Sequence, residues 1–257
     1  MDEKILTLKK WLDESSRVVF FGGAGVSTAS GLPDFRSADG LYRQHQKLAK
    51  QSGHKPIWAD FEPEYLLSRA CCQRQNPIFL RYVLDVLYAP DAEPNLVHRT
   101  LAAWEKLGKL SYVITQNIDR LHQKAGSQRV CELHGFLGDL YCPSCQAHFS
   151  LQSLAEKFQD ATQPPCCPLC AGPLDSDVTL YGDPLDTSAL ETASAAIASA
   201  DLLIVAGTSL SVYPAAALPD LYPGDRLVLI NQSPTAQDRR ANLLIHEDMN
   251  KVFAALA

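Results

Sequence analysis

The chain has 257 residues, 29 acidic and 23 basic, for a formal charge of −6, with 46% hydrophobic and 20% charged residues. This globular composition excludes wholesale disorder, and the acidity argues against nucleic acid as a partner, which wants a basic face. No apolar run approaches the roughly 18 residues of a membrane span, and the start, Met1 to Lys4, is not that of a signal peptide, so a cytoplasmic protein without a membrane partner is expected.

In chain order, residues 4–14 read as a helix and Arg17 to Phe21 as an apolar run ending in Gly22 and Gly23. That is the pattern of a buried parallel strand meeting a tight loop. The loop to Gly31 is glycine-rich and should open a helix. Its glycines allow positive φ and let backbone N–H groups approach a pyrophosphate. The usual G-x-G-x-x-G fingerprint fails, because Thr28 stands in the third glycine's place, and no acidic residue closes a second strand about twenty residues on. An ordinary hydride-transfer dehydrogenase is therefore a poor fit. Residues 37–90 read as a polar, helical insertion. Asn95 to Leu107 reads as a helix with Asn95 as N-cap, and Ser111 to Thr115 as a strand. A second insertion covers about 139–177. Beyond it come a helix over Ser188 to Ser199, strands over Asp201 to Ala206 and Arg226 to Ile230, and a shorter one near Leu243 to His246. Alternating strands and helices predict an α/β protein with a mostly parallel sheet covered on both faces.

Eight cysteines do not read as a disulfide framework in a chain of this length. Cys142 and Cys145, then Cys167 and Cys170, form two C-x-x-C knuckles at zinc-ribbon spacing. Four thiolates complete a tetrahedral shell with no position left for water, so a bound zinc is structural rather than catalytic. A redox pair or free core thiols are the competing reading. Cys166 adjoins Cys167 and competes as a ligand, with the spacing favouring Cys167. Cys71, Cys72 and Cys131 read as small buried hydrophobes.

Polar clusters end four of the expected strands. They are the loop from Gly23 with Asp34, Phe35 and Arg36 beyond it; Thr115 to Asp119; Gly207 to Ser209; and Asn231 to Ser233. Ligands of open α/β sheets collect at that edge. His134 falls between such a cluster and the first knuckle, where a cleft would form, and an imidazole there can accept a proton near neutral pH.

These segments in this order (GAGVSTASGLPDFRS from Gly23, TQNID from Thr115, ELHG from Glu132, the two knuckles, GTS from Gly207 and NQS from Asn231) resemble the sirtuin family of NAD-dependent protein deacylases, bacterial members above all. The resemblance implies a Rossmann-like domain over 1–36, 91–138 and 178–257. The helical insertion 37–90 and the zinc insertion 139–177 would then form a small second domain. It implies NAD consumed as co-substrate, one structural zinc, and acyl-lysine proteins or peptides as substrates. Gly23, Ala24, Gly25, Thr28, Asp34, Phe35 and Arg36 would hold NAD. Gln116 would meet its ribose, and Asn117, Ile118 and Asp119 would line the nicotinamide pocket. Thr208, Ser209 and Asn231 would take the adenosine half, with Gly207, Asp248 and His134 also among the residues that bind the cofactor. His134 would be the general base, with Asn117 also catalytic, and Val178, Leu180 and Tyr181 would contact substrate.

Three departures from the family stand out. Leu180 to Asp183 replaces the familiar Phe-Gly-Glu, and Leu174 and Asp175 stand near the place of an Arg-Pro. The Tyr-x-x-Arg pair of desuccinylating relatives is here nearest to Tyr82 and Asp85, whose carboxylate would repel an acidic acyl group, so neutral acyl chains are expected. The rivals are an ADP-ribosyltransferase or NAD hydrolase on the same fold, and a non-enzymatic zinc-ribbon binding module.

Overall fold

The structure is a computed structural model that describes residues 3–34, 40, 41, 45, 47, 55–160 and 163–256. It divides into two compact units. The larger comprises 1–33, 92–134 and 185–257, and the smaller 34–91 and 135–184. Relative to the expected boundaries, residues 34–36, 91, 135–138 and 178–184 join the smaller unit. Arg69 accounts for much of this shift: its guanidinium binds Asp183 at 2.9 Å and Asp175 at 2.6 Å, and its N–H donates to the Tyr181 carbonyl.

The larger unit is built on a six-stranded sheet: β1 (Val18–Gly22), β2 (Leu110–Thr115), β3 (Val130–Glu132), β6 (Leu202–Ala206), β7 (Leu227–Ile230) and β8 (Leu243–Ile245). The order is β3-β2-β1-β6-β7-β8 and every pairing is parallel. This is the doubly wound order, which reverses direction between β1 and β6. Val18 and Phe20 of β1, with Leu202, Ile204 and Ala206 of β6, face one apolar cluster. Val19 and Phe21, with Leu203 and Val205, face another. A strand buried on both faces reads as an unbroken apolar run, and each such side chain contributes about 1.5–3 kcal/mol by leaving water.

The first cluster is covered by α1 (Glu3–Glu14), α5 (Leu96–Lys106) and α9 (Met249–Leu256), the second by α8 (Thr187–Ser199). Asn95 caps α5 as expected, its side chain accepting from the Val97 N–H at 2.9 Å. Asp186 caps α8. The strand β3 was not foreseen: three residues at a sheet edge carry too little periodicity to register.

The smaller unit carries α2 (Pro63–Leu66), α3 (Arg69–Arg74), α4 (Asn76–Tyr82) running into a π-helical turn over Val83–Leu87, a hairpin of β4 (Leu140–Tyr141) and β5 (His148–Phe149), and α7 (Leu151–Lys157). Its own core gathers Trp58, Leu66, Phe79, Leu80, Tyr82, Leu140 and Leu154. Among the described residues, no helix is long and apolar enough to cross a membrane.

Candidate active site and metal centre

The parallel register brings the ends of β3, β2, β1, β6 and β7 to one edge, and with them most of the predicted residues. At the reversal, the loop after β1 meets the loop after β6. Gly23 N–H donates to the Ala206 carbonyl at 3.3 Å, and Gly25 N–H to the Gly207 carbonyl at 2.8 Å. A Cβ on Gly23 would come within 2.7 Å of the Thr208 Cβ, and one on Gly25 within 2.8 Å of the Gly207 Cα. These two glycines thus serve the close approach of two loops, and their N–H groups are committed inside the protein rather than turned to a pyrophosphate. The expected helix is replaced by two 3₁₀ turns, Ala24–Val26 and Thr28–Ser30. Ala24 is half-buried and Thr28 exposed. Phe35 and Arg36 lie outside the described residues, and Asp34 belongs to the smaller unit.

After β2, the Thr115 hydroxyl accepts from the Asn117 N–H at 3.0 Å and so orients the turn that carries Asn117, Ile118 and Asp119. The Asn117 side chain donates to Ser27 Oγ at 3.1 Å, and Ser27 Oγ donates to Asp119 Oδ2 at 2.6 Å. Ser27, only 2% exposed, is therefore the hub that ties the glycine loop to the Asn117–Asp119 turn. Sequence reading passed over it, although a serine among the loop's small residues was the available signal. Asn95 was foreseen only as a cap, yet its side-chain amide also donates to the Val26 carbonyl at 2.7 Å and to Ser30 Oγ at 3.0 Å. It holds the same loop from the α5 side.

His134 follows β3, which pairs with β2 from Val113↔Val130 to Thr115↔Glu132. Its Nδ1 lies 2.8 Å from the Gln116 carbonyl. A backbone carbonyl only accepts, so the ring proton sits on Nδ1 and Nε2 keeps its lone pair. Burial lowers the imidazole below its ordinary pKa, against a smaller upward pull from the Gln116 bond. The ring is a neutral base held in one tautomer.

Gln116 Nε2 donates to Thr208 Oγ1 at 3.0 Å. The Thr208 backbone is clasped by Asn231, whose Oδ1 accepts its N–H at 3.1 Å and whose Nδ2 donates to its carbonyl at 2.7 Å. Ser209 is exposed and lies 2.7 Å from Ser211, hydroxyl to hydroxyl. Gly207 has φ 61°, the left-handed region that favours glycine. Asp248, expected beside the cofactor, accepts from the Asn250 N–H at 2.7 Å at the start of α9, a capping role.

Beneath α5, His98 and His122 lie buried with ring centroids 4.7 Å apart. Burial pushes them down to about 4 and about 3, respectively. Unfolded imidazoles titrate near 6.5, so below that pH the unfolded chain binds more protons and stability falls until the folded pKa values are passed. The denaturation free energy should drop by about 3–4 kcal/mol between about pH 7 and about pH 5, at 1.36 kcal/mol per unit per group. Urea melts at the two pH values check this. A slope unchanged in a His122→Phe variant would contradict it.

In the smaller unit, the sulfurs of Cys142, Cys145, Cys167 and Cys170 all lie within 4.8 Å of one another. Two pairs, Cys142–Cys170 and Cys145–Cys167, stand at 3.6 Å. Zinc–sulfur bonds of about 2.3 Å in a tetrahedron place sulfurs about 3.8 Å apart, so the four thiols fit a zinc ion. The knuckles are alike. Gln146 N–H donates to the Cys142 carbonyl at 2.8 Å and Ala171 N–H to the Cys167 carbonyl at 2.9 Å, with Gln146 and Ala171 at φ 61° and 57°. Cys166 stands outside the four-sulfur cluster. Cys71, Cys72 and Cys131 are buried, and burial raises their thiols to about 11, 12 and 11.

Two expectations for the smaller unit change. In the segment Val178 to Tyr181, expected to contact substrate, three backbone N–H groups are engaged within the protein. Val178 N–H donates to Ser176 Oγ, Leu180 N–H to Asp183 Oδ2 at 3.0 Å, and Tyr181 N–H to the Leu67 carbonyl at 2.9 Å. Leu180 is also buried in the unit's core, leaving the half-exposed Tyr181 ring. Nor does Asp85 present a bare carboxylate: it accepts from Trp58 Nε1 at 2.9 Å and pairs with Arg81 at 2.6 Å, while Tyr82 is fully buried.

Gly135, next in the chain to His134, has φ +66°, and a Cβ there would lie 1.9 Å from the Asp177 carbonyl oxygen. Backbone cannot yield as a flexible side chain can, so Gly135→Ala should cost about 2 kcal/mol or more. A thermal melt within about 1 °C of the wild type would contradict this reading.

Comparison with known proteins accords with this geometry. The Sir2 family pattern matches residues 23–214. A protein of Cutibacterium acnes named NAD-dependent protein deacetylase is 44% identical over 249 residues, 97% of this chain and 96% of its own. One of the same name from Clostridium acetobutylicum is 43% identical over 251 residues, covering 98% and 97%. Among solved structures, a Sir2 enzyme superposes with TM-score 0.84 at 33% identity, covering 100% of this chain and 97% of that one. A Sir2 protein with a p53 peptide and NAD+ gives 0.80, also at 33% identity, covering 99% and 96%. With a doubly wound sheet, a tautomer-locked histidine at its edge and likeness of this extent over the whole length, the chain belongs to the Sir2 family.

Proposed function

We propose that the protein removes acyl groups from lysine side chains at the expense of NAD, releasing nicotinamide and passing the acyl group to ADP-ribose. The observation that carries this reading is the His134–Gln116 bond. It holds a neutral imidazole with a free Nε2 lone pair at the same sheet edge as the Ser27–Asn117–Asp119 cluster. Nicotinamide in NAD is a cationic leaving group, and its departure builds positive charge on the ribose. A weakly nucleophilic amide oxygen can then attack if it is held in line and water is kept out. Asn117 and Asp119, fixed through Ser27, are assigned to the nicotinamide end, with Ile118 between them. Gln116 is assigned to the adjoining ribose. Thr208, Ser209 and Asn231 are assigned to the adenosine half, and Gly23, Ala24, Gly25, Thr28 and Gly207 to the loops that enclose the dinucleotide. His134 draws a proton from the ribose hydroxyls so that one of their oxygens can attack the acyl carbon, the lysine amine then leaves, and one water completes O-acyl-ADP-ribose with its C1′ hydroxyl restored.

For the acyl group we favour neutral chains, on a basis different from a repelling Asp85. Among the described residues, two guanidinium groups of the smaller unit already have partners: Arg69 holds Asp175 and Asp183, and Arg81 holds Asp85 and the Phe158 carbonyl. Neither is left to pair an acidic acyl chain. Four thiols gathered for a metal suit a reducing compartment, which supports a cytoplasmic location. The test is incubation with NAD and acetyl-, butyryl-, long-chain acyl- and succinyl-lysine peptides, recording product masses. O-acyl-ADP-ribose and free lysine are expected from the neutral peptides. A peptide heavier by ADP-ribose would replace deacylation with ADP-ribosyl transfer. Succinyl release as efficient as acetyl release would remove the acyl preference.

A further inference from the structure

We infer that His246, by bridging the Asn231 backbone to Asp238 as a doubly protonated imidazolium, is a positioning residue for the adenosine end of the dinucleotide site, and that it makes NAD affinity depend on pH. The inference rests on the assignment of Asn231 and Thr208 to that end. His246 follows β8. Its Nδ1 lies 3.0 Å from the Asn231 carbonyl, and its Nε2 lies 3.2 Å from Asp238 Oδ2. Neither partner can donate: one is a backbone carbonyl and the other a carboxylate, whose second oxygen already accepts from the Thr235 N–H and hydroxyl. A neutral imidazole carries one N–H and can satisfy only one of them. The imidazolium carries two and satisfies both.

The charge state therefore decides whether the segment after β7 is held from behind. That segment leads directly into the site. Asn231 clasps the Thr208 backbone, Thr208 Oγ1 accepts from Gln116 Nε2, and the Gln116 carbonyl accepts from His134. An unbroken run of hydrogen bonds links His246 to the proposed base. Among the described residues, the charged group recorded against the His246 ring is Asp238. Burial alone would raise the Asp238 carboxyl, but Thr235 and then His246 hold it below its ordinary value, so it remains the anionic partner. The neighbouring charges are otherwise engaged: Glu247 with Lys251 at 3.2 Å, Asp248 as the α9 cap, and Arg240 with Asp220.

The experiment is titration of NAD into the full-length, zinc-loaded protein without peptide, from about pH 5.5 to about pH 8, the range in which an imidazole changes charge. The wild-type Kd should rise about two- to fivefold across that range, the size expected of a partly exposed ion pair. In His246→Gln the Kd should sit at the weak value throughout. In Asp238→Asn the rise should vanish too, because an amide no longer demands a second proton from the ring. Either variant keeping the wild-type profile would overturn the inference. A lower melting temperature with an unchanged profile would likewise reduce His246 to a structural role. Asn231→Ala separates the two levels. Wild-type affinity in that variant would refute the adenosine assignment itself, whereas a loss at every pH, with His246→Gln still pH-dependent, would refute only the role of His246.

Discussion

Replacing His134 with alanine should lower acyl release by about 10²- to 10⁴-fold, the usual worth of a positioned general base, with the fold and NAD binding retained. Folding survives because the ring makes one hydrogen bond, to a carbonyl on the adjacent strand end, and is not part of either apolar cluster of the sheet. NAD binding survives because the network from Ser27 through Asn117 and Asp119, and that from Gln116 through Thr208 to Asn231, closes without it. The pH dependence has a definite sign. Burial holds the imidazole below its ordinary value, so the base is already deprotonated at neutral pH. The rate of the wild type should be flat there and fall only on acidification below about 6.5. Single-turnover product formation against pH, with NAD affinity measured in parallel, checks both statements. A variant retaining a tenth of the wild-type rate, or an acid limb lying above pH 7, would remove His134 from the role of base.

Replacing Cys145 with serine should release the bound zinc and unfold the hairpin and the two knuckles of the smaller unit. A short hairpin and two knuckles bury little apolar surface, so the metal supplies the stability a larger core would provide. In isolated zinc modules that contribution is on the order of 10–16 kcal/mol. Three thiolates do not close the shell, and the left-handed Gln146 and Ala171, each costing about 1–2 kcal/mol, lose what holds them. The residues assigned to NAD, other than Asp34, Phe35 and Arg36, lie in the larger unit, built on a separate core. Deacylation should therefore disappear while weakened NAD binding persists. Metal analysis, thermal melts and NAD titration on one preparation test this. A folded, zinc-free Cys145→Ser protein of full activity would show that the four sulfurs hold nothing the fold requires.

The amino-acid sequence by itself determined five of the sheet's six strands, the two knuckles and the polar strand ends, because each has a local signature. Apolar runs such as Val18 to Phe21 announce doubly buried strands, C-x-x-C spacing announces a metal, and Asn95 announces a helix start. Its place between a strand-end cluster and the first knuckle singled out His134 among seven histidines, and the family resemblance implied the role of base. Only the tertiary structure decided what depends on partners distant in the chain. Ser27 became a hub because Asn117 and Asp119, about ninety residues on, close around it. Asp85 gained partners that its position did not announce, an ion pair with Arg81 and a hydrogen bond from Trp58. The N–H groups of Gly23 and Gly25 turned inward because β6 lies beside β1. Periodicity and spacing report what neighbouring residues share along the chain. A hydrogen bond or ion pair is settled by which atoms the fold brings within about 3 Å, and no local pattern encodes that.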